Sequence, residues 1–171
     1  WNPNRGPVAV NDTVTTNEDT PATITAATLL GNDSDPDAGD SINIVSVAGA
    51  TNGTVSLVSG NVVFTPAGNY SGPASFTYTI ADTHGATASA TVTVNVTPVA
   101  DAPTLTVAAA SGNEDSAIPL NIATALTDTD GSESISSIVI SGVPAGATLS
   151  AGTNKDRKST RLNSSHGYIS Y

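Results

Sequence analysis

The chain has no cysteine and no methionine. Without cysteine there is neither a disulfide staple nor a thiolate to act as nucleophile or metal ligand. That absence says nothing against export. Aromatic residues are few: two Phe, four Tyr and one Trp. This leaves little with which to build a sugar-stacking face or an aromatic binding anchor. Basic residues number five, and only Arg5 precedes Lys155. Up to Asn154 the count is 14 acidic against one basic, so no basic surface is being built and nucleic-acid binding is disfavoured. No apolar run approaches 18 residues, which excludes a membrane-spanning helix and any membrane insertion by one. The opening residues carry no signal-peptide pattern. A chain that begins at Trp1 with no initiator methionine reads as a fragment. Helix formers such as Glu, Lys and Gln are scarce, whereas Thr, Ser, Val, Ala, Gly and Asp dominate, a bias toward strands and turns.

Strands are written in period two. In "TASATVTVNV" Ala88, Ala90, Val92, Val94 and Val96 share one face. Phe76, Tyr78 and Ile80 do the same in "SFTYTI". "PATITA" places Ala22, Ile24 and Ala26 together, and "INIVSV" turns Ile42, Ile44 and Val47 inward. "TVSLV" and "NVVFT" flank a hairpin turn at Ser59-Gly60-Asn61, and Asn52-Gly53 marks a second turn. About seven short strands in some ninety residues predict an all-β fold, an Ig-like antiparallel β-sandwich. A barrel is the alternative. Tyr70, in "PAGNYSG", is placed to donate its hydroxyl to backbone at a corner, in the manner of a tyrosine corner.

The chain repeats itself. "NED" at Asn17–Asp19 returns at Asn113–Asp115, and Pro7 and Pro103, like Leu30 and Leu126, stand at the same offset of 96. Asp33 and Asp35 then correspond to Asp128 and Asp130 with a one-residue slip. Residues 1–6 end a preceding linker, 7–97 form a complete module, 98–102 a linker, and 103–154 the N-terminal half of a second module. That half lacks later strands and is expected to leave edges unpaired. Residues 155–171 differ in composition from all that precedes. From Asp156 to Tyr171 they resemble a translated sequencing adapter, so they are set aside as a non-native tail.

Acidic residues crowd into "GNDSDPDAGD". An EF-hand needs Gly at loop position six and Glu at twelve. Counting from Asp33, those positions hold Ala38 and Ile44, so the stretch is not a self-contained calcium loop. Calcium takes six to eight oxygens, and the missing ones must come from elsewhere. Glu18 and Asp19 precede one strand, Asp82 follows another, and Asp101 lies in the linker, so strand ends meeting at a pole can gather them. For Asp37 and Asp40 turn chemistry alone favours Asp.

Taken together, "NEDTP", "NDSDPDAGD", "FTPAGNYSG" and "FTYTIAD" resemble the cadherin-like tandem repeats of very large bacterial adhesins of the repeats-in-toxin kind. The similarity covers the first module and what is present of the second. It implies calcium held near module junctions, stiffening neighbouring repeats of the same chain into a rod. By that resemblance Glu18, Asp33, Asp35, Asp37, Asp82 and Asp101 are metal-ligand candidates, with Glu114, Asp128 and Asp130 as counterparts in the second copy. Animal cadherins differ: there is no "DRE" triplet here, and only "ADAP" remains of their linker, which implies one or two ions per junction. The resemblance also implies an extracellular or cell-surface location, with any host or cell-surface ligand bound by other domains.

Nothing marks an enzyme. His84 is the one histidine before the tail, too few for a zinc site. No nucleophile elbow surrounds any serine. The reading is a non-enzymatic, calcium-stabilised spacer of an adhesin, serving cell adhesion and biofilm. The alternative is an Ig-like linker or binding module attached to a secreted hydrolase.

Overall fold

The computed structural model describes residues 3–113, 116–127 and 131–141, with strand backbone also at 148–149, 153–156, 159–162 and 166–170. The chain divides into two units between Val99 and Ala100, each described by itself.

In the first unit the alternating segments become strands: β1 (Asp12–Asn17), β2 (Ala22–Ile24), β3 (Asn43–Thr51), β4 (Gly53–Val58), β5 (Asn61–Pro66), β6 (Gly72–Ala81) and β7 (Thr87–Thr97). They form two sheets, ordered β1-β7-β6-β3 and β2-β5-β4. This is the expected cadherin-like, Ig-like sandwich, not a barrel. One ladder departs from the antiparallel expectation. β1 runs parallel to β7, with Asp12 opposite Val92 and Asn17 opposite Thr97. The chain changes sheets between β1 and β2, so β1 is free to cover the outer edge of β7 in the same direction.

The inward faces meet in one core. Val62, Phe64, Phe76, Tyr78, Ile80, Val92 and Val94 are fully buried, each worth roughly 1.5–3 kcal/mol of apolar burial. Phe64 and Phe76 stack across the two sheets at 5.9 Å. In β3, a bulge between Ile44 and Ser46 shifts the register against β6. It is why Ile44 and Val47, three apart, both face inward. After β2 the sequence "AATL" forms a single helical turn, α1 (Ala26–Leu29), capped by the Thr25 hydroxyl, which accepts from the Thr28 amide. That turn drives Leu29 fully into the core.

Turns follow their residues. β4 and β5 are joined by Ser59 and Gly60, both at positive φ, the geometry a two-residue hairpin of this twist requires. Tyr70 donates its hydroxyl to the Pro73 carbonyl at 2.6 Å and accepts from the Asn52 side chain at 2.9 Å. The expected bond from hydroxyl to backbone is therefore present.

The second unit contains β8 (Thr104–Val107), β9 (Ile118–Ala125), β10 (Ile138–Ser141), β11 (Thr148–Leu149), β12 (Thr153–Asp156), β13 (Ser159–Leu162) and β14 (His166–Ser170). β9 begins at Ile118 and pairs with β8 and β14. Its sheets are ordered β10-β13-β12 and β11-β14-β9-β8. The edges of β9 and β10 are thus paired by β14 and β13, strands of the segment set aside as a tail. An open backbone edge takes up whichever strand lies nearby. Among the described residues of this unit Ile118 is the one buried apolar side chain, while Leu105, Val107 and Val139 are exposed.

Candidate functional site

Strand direction sorts the acidic residues of the first unit onto two poles. β3 begins, β6 ends and β7 begins at the head pole, beside the N-terminal segment. β1 and β7 end at the tail pole.

At the head, Val8 pairs with Ser34 through two backbone hydrogen bonds of 2.7 and 3.0 Å. This ties the N-terminal segment to the acidic loop. Asp33 accepts from the Val10 amide at 2.7 Å, and both its oxygens lie 3.0–3.1 Å from the Tyr78 hydroxyl. The same hydroxyl reaches Asp12 at 2.9 Å. Burial, reinforced by the two carboxylates, pushes the Tyr78 pKa far above its ordinary value, so the phenol keeps its proton and remains a donor. Burial and the Asp33 charge push Asp12 upward, against the lowering effect of the Tyr78 and Asn32 hydrogen bonds.

Asp82 is 7 % exposed. Its Oδ1 accepts from the amides of His84 and Ala86 at 2.9 and 2.8 Å, and its Oδ2 from the Asn4 side chain at 2.9 Å. These donors, Asn4 first, hold its pKa below the usual carboxylate value. Both Asp33 and Asp82 are therefore already engaged by protein donors and close the loops around them.

Beside them, Asp35, Asp37 and Asp40 bring carboxylate oxygens within 4.8 Å of one another. Asp35 Oδ1 caps the Asp37 amide at 2.7 Å, while its Oδ2 is buried and has no hydrogen-bond partner. Asp37 accepts from the Arg5 amide at 2.6 Å and from Arg5 Nε at 2.9 Å, and these contacts, the amide first, lower its pKa. Asp40 accepts from the Thr83 hydroxyl at 2.8 Å and lies 2.9 Å from His84 Nδ1. Asp40 was not among the sequence candidates. The spacing Asp35, Asp37, Asp40 along one short turn was the available signal.

The tail pole belongs to Glu18. Its amide donates to the Thr97 carbonyl at 2.9 Å, and its Oε1 accepts from the Val99 amide at 2.5 Å. The side chain is 3 % exposed, yet Oε2 has no partner. Beside it Asp19, at φ +52°, accepts from the Asn69 amide at 2.9 Å. The eleven residues of β7 separate this pole from the head by about 33 Å, so Glu18 and Asp82 do not share a site.

In the second unit the Asp101 amide donates to Glu133 Oε1. Glu133 also escaped the sequence candidates. Glu114, Asp128 and Asp130 lie outside the described residues.

A buried carboxylate oxygen without a donor costs free energy and fits a hard cation, which takes oxygen ligands of this kind. Glu18 Oε2 meets that condition at the tail, and Asp35 Oδ2 resembles it at the head. Among the described residues no helix is long and apolar enough to cross a membrane.

Comparison with known proteins supplies the family. No curated protein matches the chain. Among solved structures, the human desmocollin-1 ectodomain is similar, with TM-score 0.47 and 15 % sequence identity over 99 % of this chain and 32 % of that one. The chain thus spans about a third of that ectodomain's length. The family model described as the cadherin-like domain matches residues 3–97. Such domains are adhesion-type structural modules, generally non-enzymatic, and they typically bind Ca2+. With more than half of its residues in that match, the chain belongs to the cadherin-like domain family.

Proposed function

We propose that the chain is an extracellular, calcium-stabilised spacer from a bacterial cell-surface or secreted adhesin, working in cell adhesion and biofilm formation. Its immediate partners are neighbouring repeats, and the adhesive ligand belongs to other domains of the parent protein.

The observation that carries this reading is Glu18. It is buried, it belongs to the "NED" triplet that recurs one repeat later, and it keeps one carboxylate oxygen without a donor. Glu18 holds the Val99 amide with Oε1 and so ties the outgoing chain to the end of the sandwich while Oε2 remains available to a cation. Asp35, Asp37 and Asp40 form the second acidic group, at the opposite end. Bound calcium supplies the positive charge that neutralises clustered carboxylates and links oxygens from separate segments. Without it the clustered carboxylates repel one another, and Glu18 holds the outgoing chain through the Val99 amide alone.

Extracellular modules of this class bind calcium on the order of 10⁻⁴ to 10⁻³ M. At a hundred times the dissociation constant the ion adds about 2.7 kcal/mol to stability. Thermal melting of the full chain in calcium and in chelator tests this. The expected result is a higher Tm in calcium, and a Glu18→Gln variant that loses most of the shift while melting no lower than the native chain in chelator. A Tm indifferent to calcium overturns the calcium part of the proposal.

A further inference from the structure

Asn52-Gly53 is the one Asn-Gly pair in the chain. That dipeptide is chemically weak. The side-chain amide carbon of Asn lies within reach of the next backbone nitrogen, and Gly has no side chain to shield that nitrogen or to restrict its backbone. Asn52 is solvent-exposed, so water and base have access. The folded corner nevertheless restrains the groups that the reaction has to move.

Asn52 joins β3 to β4 at φ +52°. Its Nδ2 donates to the Tyr70 hydroxyl at 2.9 Å and to the Pro73 carbonyl at 3.1 Å. The Tyr70 hydroxyl donates to the same carbonyl at 2.6 Å, so the three groups form a closed triangle. Gly72 sits at φ +124°, and a Cβ there would lie 3.2 Å from the Tyr70 hydroxyl, so its lack of a side chain gives that hydroxyl room. The carbonyl of Asn52 accepts from the Ala67 amide at 3.0 Å. It belongs to the same peptide unit as the Gly53 nitrogen, and peptide planarity fixes the two together. Both the amide carbon and the nitrogen that attacks it are thus held in place.

We propose that Asn52 is a deamidation site gated by Tyr70, silent while the corner is folded and reactive once it opens. In the open chain the Gly53 nitrogen gives its proton to solvent base and attacks Asn52 Cγ. The new N–C bond closes a succinimide ring as the Cγ–Nδ2 bond breaks, and Nδ2 leaves as ammonia with a proton from solvent. Water then opens the ring at either carbonyl. The product is aspartate or, where the backbone now passes through the side-chain carbon, isoaspartate. Neither product fits the folded corner. Aspartate has no donor for the Pro73 carbonyl and sets a charge against it. Isoaspartate adds a carbon to the backbone beside Gly53, where even a Cβ meets Phe64 Cζ and the Thr65 carbonyl at 2.5 Å. The reaction therefore marks, irreversibly, a module that has spent time open. Tyr70 is a positioning residue in this account, since it acts only through the Asn52 amide.

Peptide mapping of the full chain by mass spectrometry, after incubation in warm, mildly alkaline buffer, tests this, with isoaspartate read by enzymatic methylation. Native, Tyr70→Phe and Tyr78→Phe chains are compared, each folded and in urea, and their melting transitions report that the folded samples are folded. In urea Asn52 is expected to convert at one rate in all three chains, ahead of the other asparagines. The folded native chain keeps its amide over the same period. Folded Tyr70→Phe converts at least about fivefold faster than the folded native chain, a factor equivalent to about 1 kcal/mol. Tyr78→Phe loses the stronger hydrogen bond but keeps the triangle, so its folded rate stays nearer the native one. Asn52→Asp builds one hydrolysis product directly and is expected to melt below the native chain. A folded native chain that converts as fast as the chain in urea overturns the protection. Tyr70→Phe no faster than native overturns the role of Tyr70, and so does Tyr78→Phe as fast as Tyr70→Phe, since conversion then follows global unfolding. Conversion of other asparagines before Asn52 in urea overturns the site, and native melting of Asn52→Asp overturns the misfit of the product.

Discussion

Tyr78 carries one hydroxyl proton among five oxygen atoms within 3.3 Å: those of Val10 and Leu29, one of Asp12 and both of Asp33. It can donate to only one at a time, so its value lies in separating two half-buried carboxylates that otherwise face each other. The phenol stays protonated because burial and both carboxylates disfavour its anion. Tyr78→Phe keeps the ring in the core and removes only this donor. Hydrogen bonds to charged groups contribute about 1.5–3 kcal/mol, and that loss is expected in denaturant unfolding as a lower midpoint with an unchanged m-value. Tyr70→Phe removes a hydroxyl that bonds Pro73 and Asn52 near the surface, where water replaces it, and should cost only about 0.5–1.5 kcal/mol. Equal stability of Tyr78→Phe and the native chain removes Tyr78 from the account of the head pole. Nothing in "SFTYTI" announced this role. The alternation placed Tyr78 inward, but its partners arrive from β1, α1 and the acidic loop, and only their packing shows where the hydroxyl ends.

Among the elements, the β4–β5 hairpin and the β3–β4 corner both use glycine, for different reasons. Gly60 sits at φ +80° with open space around a would-be Cβ, whereas a Cβ at Gly53 meets Phe64 Cζ and the Thr65 carbonyl at 2.5 Å. Gly60→Ala therefore meets only backbone strain, roughly 1 kcal/mol. Gly53→Ala has to displace a fully buried aromatic ring and should cost about 3 kcal/mol, the upper range for overpacking. Chemical denaturation of the two variants checks the order, and a Gly60→Ala chain less stable than Gly53→Ala contradicts it. Hairpin and strands were legible in the sequence because period two and turn residues are local signals. β7 shows this most plainly, since Ala90, Val92, Val94 and Val96 are all buried. The helical turn α1 was not legible, since "AATLL" is too short to show a 3.6-residue period. The parallel pairing of β1 was hidden for another reason: it depends on which sheet the chain joins after a crossover, and alternation in "DTVTTN" says nothing about that.

For the first module as a whole, the acidic residues matter by pole. The sequence showed which carboxylates stand at strand ends, but each strand crossing reverses the pole, so Glu18 after β1 and Asp33 after β2 fall at opposite ends. Counting crossings separates them; grouping by composition does not. The same division governs the response to acid. Asp37 and Asp82 have folded pKa values below the ordinary 3.8, so both bind protons less readily folded than unfolded. The stability they contribute is fully present above pH 3.8 and is lost as pH falls through their lower folded values. Asp12 is shifted the other way, upward from 3.8, chiefly by burial. Its ionised form weakens the fold, and protonating it as pH falls toward 4 returns some stability before the others begin to withdraw theirs. A metal-free melting series from pH 7 to pH 2 should therefore show a Tm that holds or rises slightly toward pH 4 and then drops. Asp82→Asn keeps an acceptor for the His84 and Ala86 amides but cannot ionise, so its Tm should fall less steeply below pH 4. A slope identical to that of the native chain would show that the donors around Asp82 do not set the acid limit of the module.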